Sequence, residues 1–108
     1  MVTTTARTPP VEPTNTLHLL AAAPRFWSIL IPEILAIWQN DDLILLLAEG
    51  AQGFNIEALA QFNHIAVLDA DLARLEVAHE EIPSHIKIAT IADWATWTLQ
   101  YQRTVTWR

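Results

Sequence analysis

Residues 43–48 read Leu43-Ile44-Leu45-Leu46-Leu47-Ala48, and this stretch decides the fold class. Every position is apolar, without the polar alternation of a strand that keeps one face in water. A strand that is apolar on both faces is typical of the centre of a parallel sheet, because helices cover both sides of such a sheet. Polar residues at 40–42 and the first glycine at Gly50 bound the run, which favours a strand over a buried helical turn.

Apolar runs alternate with helical stretches along the rest of the chain. The pattern predicts strands at 16–20, 43–48, 64–68, 86–91 and 104–107. It predicts helices at 28–39, 54–62, 72–80 and 94–102. Pro32 is expected in the first turn of the first helix, and Asp93 is expected to cap the last. Such alternation predicts right-handed βαβ units, and therefore a three-layer α/β fold of the flavodoxin-like kind. Its four- to five-stranded, mostly parallel sheet is flanked by helices.

The length of 108 residues favours one domain. Residues 1–14 hold three of the six prolines and little that could be buried, so we expect a flexible tail before a single domain at 15–108. The chain is 52% hydrophobic and only 17% charged, so it has few charged residues with which to cover its surface. Either a partner covers part of the apolar surface, or buried strands raise the apolar fraction.

The net charge of −6 and the scattered basic residues argue against nucleic-acid binding by this chain alone and against an anionic membrane surface. The most apolar stretch, at 26–38, is shorter than the roughly 18 residues of a membrane span, and the first residues lack the apolar region of a secretory signal. We therefore expect a cytoplasmic protein. The chain has no cysteine, which excludes thiolate metal sites, covalent cysteine chemistry and a persulfide on this chain.

A loop at 49–53 follows the central strand, at the edge where α/β sheets bind ligands. Its glycine spacing matches neither the dinucleotide fingerprint nor the P-loop, so we expect no cofactor. Asp69 and Asp71 follow the next strand and could form an acid–base pair, although capping of the next helix explains them as well. The glycines could instead permit a tight turn. The candidate loop site comprises Glu49, Gly50, Gly53, Asp69 and Asp71.

His18 lies inside a predicted strand, where a titratable ring is unexpected. It is either a hydrogen-bonded structural histidine or a functional one. His79 and His85 lie near two glutamates, but their spacing is not diagnostic of a metal site, and we expect both on the solvated surface.

The chain has five tryptophans, more than a small core readily hides. Trp94 and Trp97 are three residues apart on a predicted helix and share a face. Because tryptophan is enriched at interface hot spots, we select these two and Trp107 as the candidate partner surface, with core packing as the alternative.

Several sequence pieces together resemble the TusB/DsrH family over residues 16–107. The matching pieces are Leu17-His18, 42–50, 68–74, Ile82, Asp93-Trp94 and Trp107. The resemblance implies a small DsrE-like α/β domain and a subunit of a sulfur-relay complex. In that complex TusB associates with TusC and TusD and helps to pass persulfide sulfur toward thiolation of the tRNA wobble uridine. In DsrH relatives the corresponding complex serves sulfur oxidation. This chain has Leu75 where the family commonly has glycine.

The resemblance and the missing cysteine together indicate a non-catalytic accessory subunit, with the sulfur carried by TusC/TusD-like (DsrE/DsrF-like) sister chains. Two alternatives remain at this stage. One is a small ligand-binding α/β module that uses the candidate loop site. The other is an independent homodimer, in which a second copy covers the apolar surface.

Overall fold

Five parallel strands form a single sheet in the computed structural model, which describes residues 15–108. The strands are β1 Thr16–Leu20, β2 Leu43–Leu46, β3 Ile65–Leu68, β4 Ile86–Ala89 and β5 Arg103–Trp107. Their order across the sheet is β4-β3-β2-β1-β5, and all four pairings are parallel. The predicted α/β class is confirmed, with the apolar run at the centre of the sheet. The predicted tail at 1–14 lies outside the described residues.

The connections place helices on both faces of the sheet. The helices are α1 Trp27–Ile37, α2 Asp69–Arg74 and α3 Ile91–Gln100. Short 3₁₀ turns occupy Pro24–Phe26, Ala48–Gly53, Glu57–Gln61 and His79–Glu81. From β1 to β4 the chain advances in one direction across the sheet, so right-handed crossovers put α1 and α2 on the same face. The step from β4 to β5 runs the other way and puts α3 on the opposite face.

Alternate residues of the strands feed two separate hydrophobic cores. On one face, Leu20 of β1 packs in a cluster with Trp27 and Ile34 of α1. On the other face, Leu17 of β1 belongs to a cluster against which Trp94 of α3 packs. The sheet is therefore covered on both sides, which accounts for a central strand without polar alternation.

The middle helices differ from the prediction. The segment 54–62 forms only the 3₁₀ turn Glu57–Gln61 instead of a helix. The helix predicted at 72–80 instead begins at Asp69 and ends at Arg74. It ends there because Glu76 takes a left-handed backbone with φ of 61°, which a helix cannot continue. Leu75 has φ of −86°, an ordinary value, so no glycine is required at that position.

The first and last helices also begin earlier than predicted. Thr90 caps α3: its Oγ1 accepts the N–H of Asp93 at 3.0 Å, and Asp93 Oδ2 accepts the N–H of Thr90 at 2.9 Å. Asp93 therefore lies inside the first turn and is not the N-cap. Pro32 lies inside α1 and not in its first turn. It is tolerated because Ser28, whose carbonyl loses its helical partner, is exposed to solvent.

The two glycines serve close packing. Both lie in the 3₁₀ turn Ala48–Gly53, and neither has a positive φ, so close approach to neighbouring groups, and not a left-handed backbone, requires glycine there. A Cβ on Gly50 would overlap the main-chain carbonyl oxygen of Leu20, and a Cβ on Gly53 would overlap the indole ring of Trp27. The 3₁₀ turn Ala48–Gly53 can therefore approach β1 and α1 only where side chains are missing.

Gly53→Ala is expected to lower the free energy of unfolding by about 1–3 kcal/mol, because the added methyl overpacks against Trp27. Denaturation with urea measures the change. Combined with Trp27→Phe, which removes the overlapping ring atoms, Gly53→Ala should cost less than it does alone. Gln52→Ala, at an exposed position of the same turn, is the control. Equal costs of Gly53→Ala in both backgrounds would contradict this packing argument.

Candidate functional site

A buried carboxylate lies just before β2. Asp42 has no exposed surface. Its Oδ1 accepts the main-chain N–H of Thr16 at 2.8 Å, and its Oδ2 accepts the main-chain N–H of Gln39 at 3.0 Å. His18 Nε2 lies 3.0 Å from the same Oδ2. Three hydrogen bonds thus replace the water that the carboxylate has lost.

Trp107 determines which nitrogen of His18 carries the proton. Its indole Nε1–H can only donate, and it donates to His18 Nδ1 at 3.1 Å. Nδ1 is therefore an acceptor, and the ring proton sits on Nε2, from which it is donated to Asp42. A neutral imidazole satisfies both contacts, whereas a second proton on Nδ1 would face the indole N–H.

Aromatic rings enclose the same histidine. Its ring stacks on Trp38 and Trp107, with centroids 5.4 and 6.1 Å apart. Burial lowers the pKa of His18 below its usual 6.5, although the hydrogen bond and the charge of Asp42 act in the opposite direction and Arg103 adds to the lowering. Because both ring nitrogens are bonded and no side-chain surface is exposed, His18 has no free nitrogen to offer a substrate. The group joins β1, β2 and β5 and does not form an acid–base centre.

The folded protein is expected to lose stability as the pH falls below about 6.5. The folded-state pKa of His18 is lowered, so the unfolded chain takes up a proton first, and stability is fully present only above that pH. His18 contributes at most about 1.4 kcal/mol to the slope for each pH unit. Denaturant titrations from pH 7.5 to 5 measure it.

Trp107→Phe should reduce this slope, because it removes the indole N–H that opposes a proton on Nδ1. Gln52→Ala, at an exposed residue without a titratable group, is the control and should leave the slope unchanged. An unchanged slope in Trp107→Phe would contradict the assigned tautomer.

A second polar group lies at the carboxyl edge of the sheet, between β2 and β3. Asp71 Oδ2 accepts the main-chain N–H of Ala48 at 2.8 Å. Arg74 donates to the carbonyl oxygen of Ala48 at 3.2 Å and to Asp71 Oδ1 at 3.3 Å. Ala48 has φ of 52°, a left-handed conformation that residues with a Cβ rarely adopt. Asp71 and Arg74 therefore hold a strained residue at the start of the candidate loop.

The structure separates the other members of the candidate loop site. Gly50 and Gly53 face Leu20 and Trp27, as described above, and Glu49 is exposed. Asp69 pairs with His79 at 2.7 Å instead of with Asp71, and both side chains of that pair are largely exposed. Asp69 and Asp71 lie inside the first turn of α2 and not before it. Residues 15–108 contain no group of three or more side chains that could hold a metal ion.

The three tryptophans of the candidate partner surface make contacts within the chain itself. Trp94 and Trp97 are half-buried and pack against the core under α3. Trp107, also half-buried, contacts His18. Among residues 15–108, the most exposed large apolar side chains are instead Ile29, Ile91 and Leu99, and Leu99 is 88% exposed. In residues 15–108 no helix has the length and apolar character needed to cross a membrane.

In the sequence, Asp42 stands out only as one of the polar residues at 40–42 that bound the apolar run, so the centre of the buried network was missed. A signal was present, since an acidic residue directly precedes a run without any polar position. Nothing in the linear order, however, connected that residue to His18, 24 positions earlier, or connected His18 to Trp107, 89 positions later.

Ala48→Gly is expected to raise the free energy of unfolding by up to about 1 kcal/mol, because glycine adopts the left-handed conformation without strain. Glu76→Gly should behave in the same way. Ala36→Gly, at an exposed position inside α1, should instead lower stability by roughly 0.5–1 kcal/mol. Thermal and denaturant unfolding provide the measurement. A loss at Ala48 equal to the loss at Ala36 would show that no strain is stored there.

The fold is similar to that of a solved structure. The YchN protein from E. coli superimposes with a TM-score of 0.65 at 14% sequence identity, over 86% of this chain and 99% of that chain. No protein-family model and no curated protein matches the sequence. The likeness to YchN concerns the fold, a five-stranded parallel sheet flanked by helices.

Proposed function

We propose that this chain is a non-catalytic subunit of a sulfur-relay complex, in which DsrE-like sister subunits carry the sulfur. One observation carries the proposal: sequence pieces behind the TusB/DsrH resemblance are bonded to one another. Leu17-His18, the stretch 42–50 and Trp107 meet in the network around Asp42.

A second pair of these pieces is joined in the same manner. The stretch 42–50 contributes Ala48, and the stretch 68–74 contributes Asp71 and Arg74, which bind the main chain of Ala48. These contacts maintain the shape of the domain at the carboxyl ends of β2 and β3.

Division of labour follows from the chemistry of sulfur transfer. A persulfide needs a cysteine thiolate, and none of the 108 residues is cysteine. The sulfur must then travel on another chain, and the acidic net charge of −6 gives this chain little attraction for RNA phosphates. In the proposed complex it supports TusC/TusD-like partners in the cytoplasm, serving tRNA wobble-uridine thiolation or sulfur oxidation.

Exposed apolar side chains support the need for partners. Ile29 on α1 is 65% exposed, and Ile91 and Leu99 on α3 are 61% and 88% exposed. These residues lie on opposite faces of the sheet, so the chain offers apolar contacts to more than one neighbour.

Co-expression with TusC-like and TusD-like chains tests the proposal. The three chains are expected to co-purify through size exclusion, and this chain should increase persulfide transfer to the cysteine-bearing partner. Leu99→Glu and Ile29→Glu should weaken co-purification, because each places a charge in an apolar contact. Glu57→Gln, at an exposed residue outside these patches, is the matched control. A folded chain that neither binds these partners nor alters transfer would contradict the proposal.

The alternative of a small ligand-binding module receives less support. In its candidate site Gly50 and Gly53 pack against Leu20 and Trp27, and Asp71 accepts a hydrogen bond from the main-chain N–H of Ala48. These groups are therefore not available to a ligand. A thermal-shift screen with nucleotides and anions distinguishes the two ideas, since a ligand-binding module should be stabilised by its ligand.

A further inference from the structure

The outer edge of β5 presents unpaired main-chain groups among the described residues. β5 lies at one end of the sheet and pairs only with β1. The carbonyl oxygen of Trp107 accepts the N–H groups of Ala21 and Ala22, so Trp107 turns its main-chain groups inward. The direction of the main-chain N–H and C=O groups alternates along a strand, so those of Val105 also point inward, toward β1. The N–H and C=O groups of Thr104 and Thr106 therefore point outward.

The sequence of this edge is complementary to itself. If two β5 strands pair antiparallel about Val105, all five residues find a partner. Thr104 then lies opposite Thr106 of the copy, and their outward groups exchange hydrogen bonds in two such pairs. Val105 meets Val105 at the non-hydrogen-bonded position between them. Arg103 lies opposite Trp107, which pairs a cation with an aromatic ring and brings no like charges together.

The opposite edge of the sheet differs. β4 carries the exposed Lys87 among its four residues, and Pro83 precedes it. Lysine and proline at an edge are devices that deter pairing with another strand. On β5 the one charged residue is at the end of the strand, and no proline is present.

We propose that the chain associates with a second copy of itself through β5, joining two five-stranded sheets into one continuous sheet. An apolar cavity of about 310 Å³, lined by Phe26, Ile29, Leu30 and Arg108, borders the carboxyl end of this edge. Antiparallel pairing brings the amino end of the copy's β5, with Arg103, to this end of the strand. The pairing is made by the main chain of β5 and uses neither Ile91 nor Leu99, so Leu99→Glu tests the sister-subunit contact separately. Ile29 lines the bordering cavity and therefore belongs to both proposed contacts.

Mass measurement of the full chain by light scattering is the first test. The expected value is twice 12.2 kDa. Thr106→Pro removes an outward N–H on each copy and should return the mass to 12.2 kDa, because a proline whose N–H position faces away from the sheet leaves the fold intact. Thr106→Ala keeps the N–H and should remain a dimer. Circular dichroism checks that each variant is folded.

Cross-linking supplies a second test that does not rely on proline. The chain has no cysteine, so Val105→Cys introduces a single thiol. Directly opposed residues at a non-hydrogen-bonded position have Cα atoms about 4.5 Å apart, within disulfide range. Under mild oxidation Val105→Cys should form a linked dimer. Two control variants should not form a linked dimer. In Thr104→Cys the new thiol lies opposite Thr106 of the copy and not opposite a second thiol, and Leu99→Cys places the thiol at a highly exposed position outside the contact.

A measured mass of 12.2 kDa at all protein concentrations would overturn the proposal. So would disulfide cross-linking of the Val105→Cys variant that is no faster than cross-linking of the Leu99→Cys variant. Pairing of this edge only with a sister subunit would also overturn it. Co-purification with sister chains can succeed or fail independently of these results.

Discussion

Asp42 holds a carboxylate in the interior, at the point where the chain enters the central strand of the sheet. A buried charge without partners costs several kcal/mol, so the donors around it must be correctly placed. The donors are the main-chain N–H of Thr16 on β1, the main-chain N–H of Gln39 just after α1, and the ring of His18. One side chain therefore aligns the first crossover of the sheet, and through His18 the alignment extends to Trp107 on β5.

This dependence explains why an Asp–His pair, which in other settings performs acid–base chemistry, is a structural device here. Catalysis by histidine requires a ring nitrogen that can reach a substrate. In this chain one nitrogen donates to Asp42 and the other accepts from Trp107, while the indole ring of Trp38 stacks on the imidazole. Charged side chains also have a structural role at the carboxyl edge of the sheet, where Asp71 and Arg74 bind the main chain of Ala48.

The fold was largely predictable from the sequence, whereas the site was not. An uninterrupted apolar run at 43–48 predicts a strand covered on both faces, and the neighbouring alternation predicts the helices that cover it. Boundaries were less predictable: α2 ends at Arg74 because Glu76 adopts a left-handed backbone, and α3 begins after Thr90 because its hydroxyl caps the helix. Both outcomes depend on local geometry that hydrophobic periodicity does not encode.

The sequence by itself determined the α/β class, the absence of cysteine and the acidic charge, because these depend on composition and on the spacing of neighbouring residues. Only the tertiary structure decided what the polar residues do. Strand order places β5 beside β1 instead of beyond β4, which brings Trp107 against His18 and leaves the self-complementary edge outermost. It also places the two glycines against Leu20 and Trp27. Contacts between residues far apart in the chain follow from strand order and burial, which no local pattern contains.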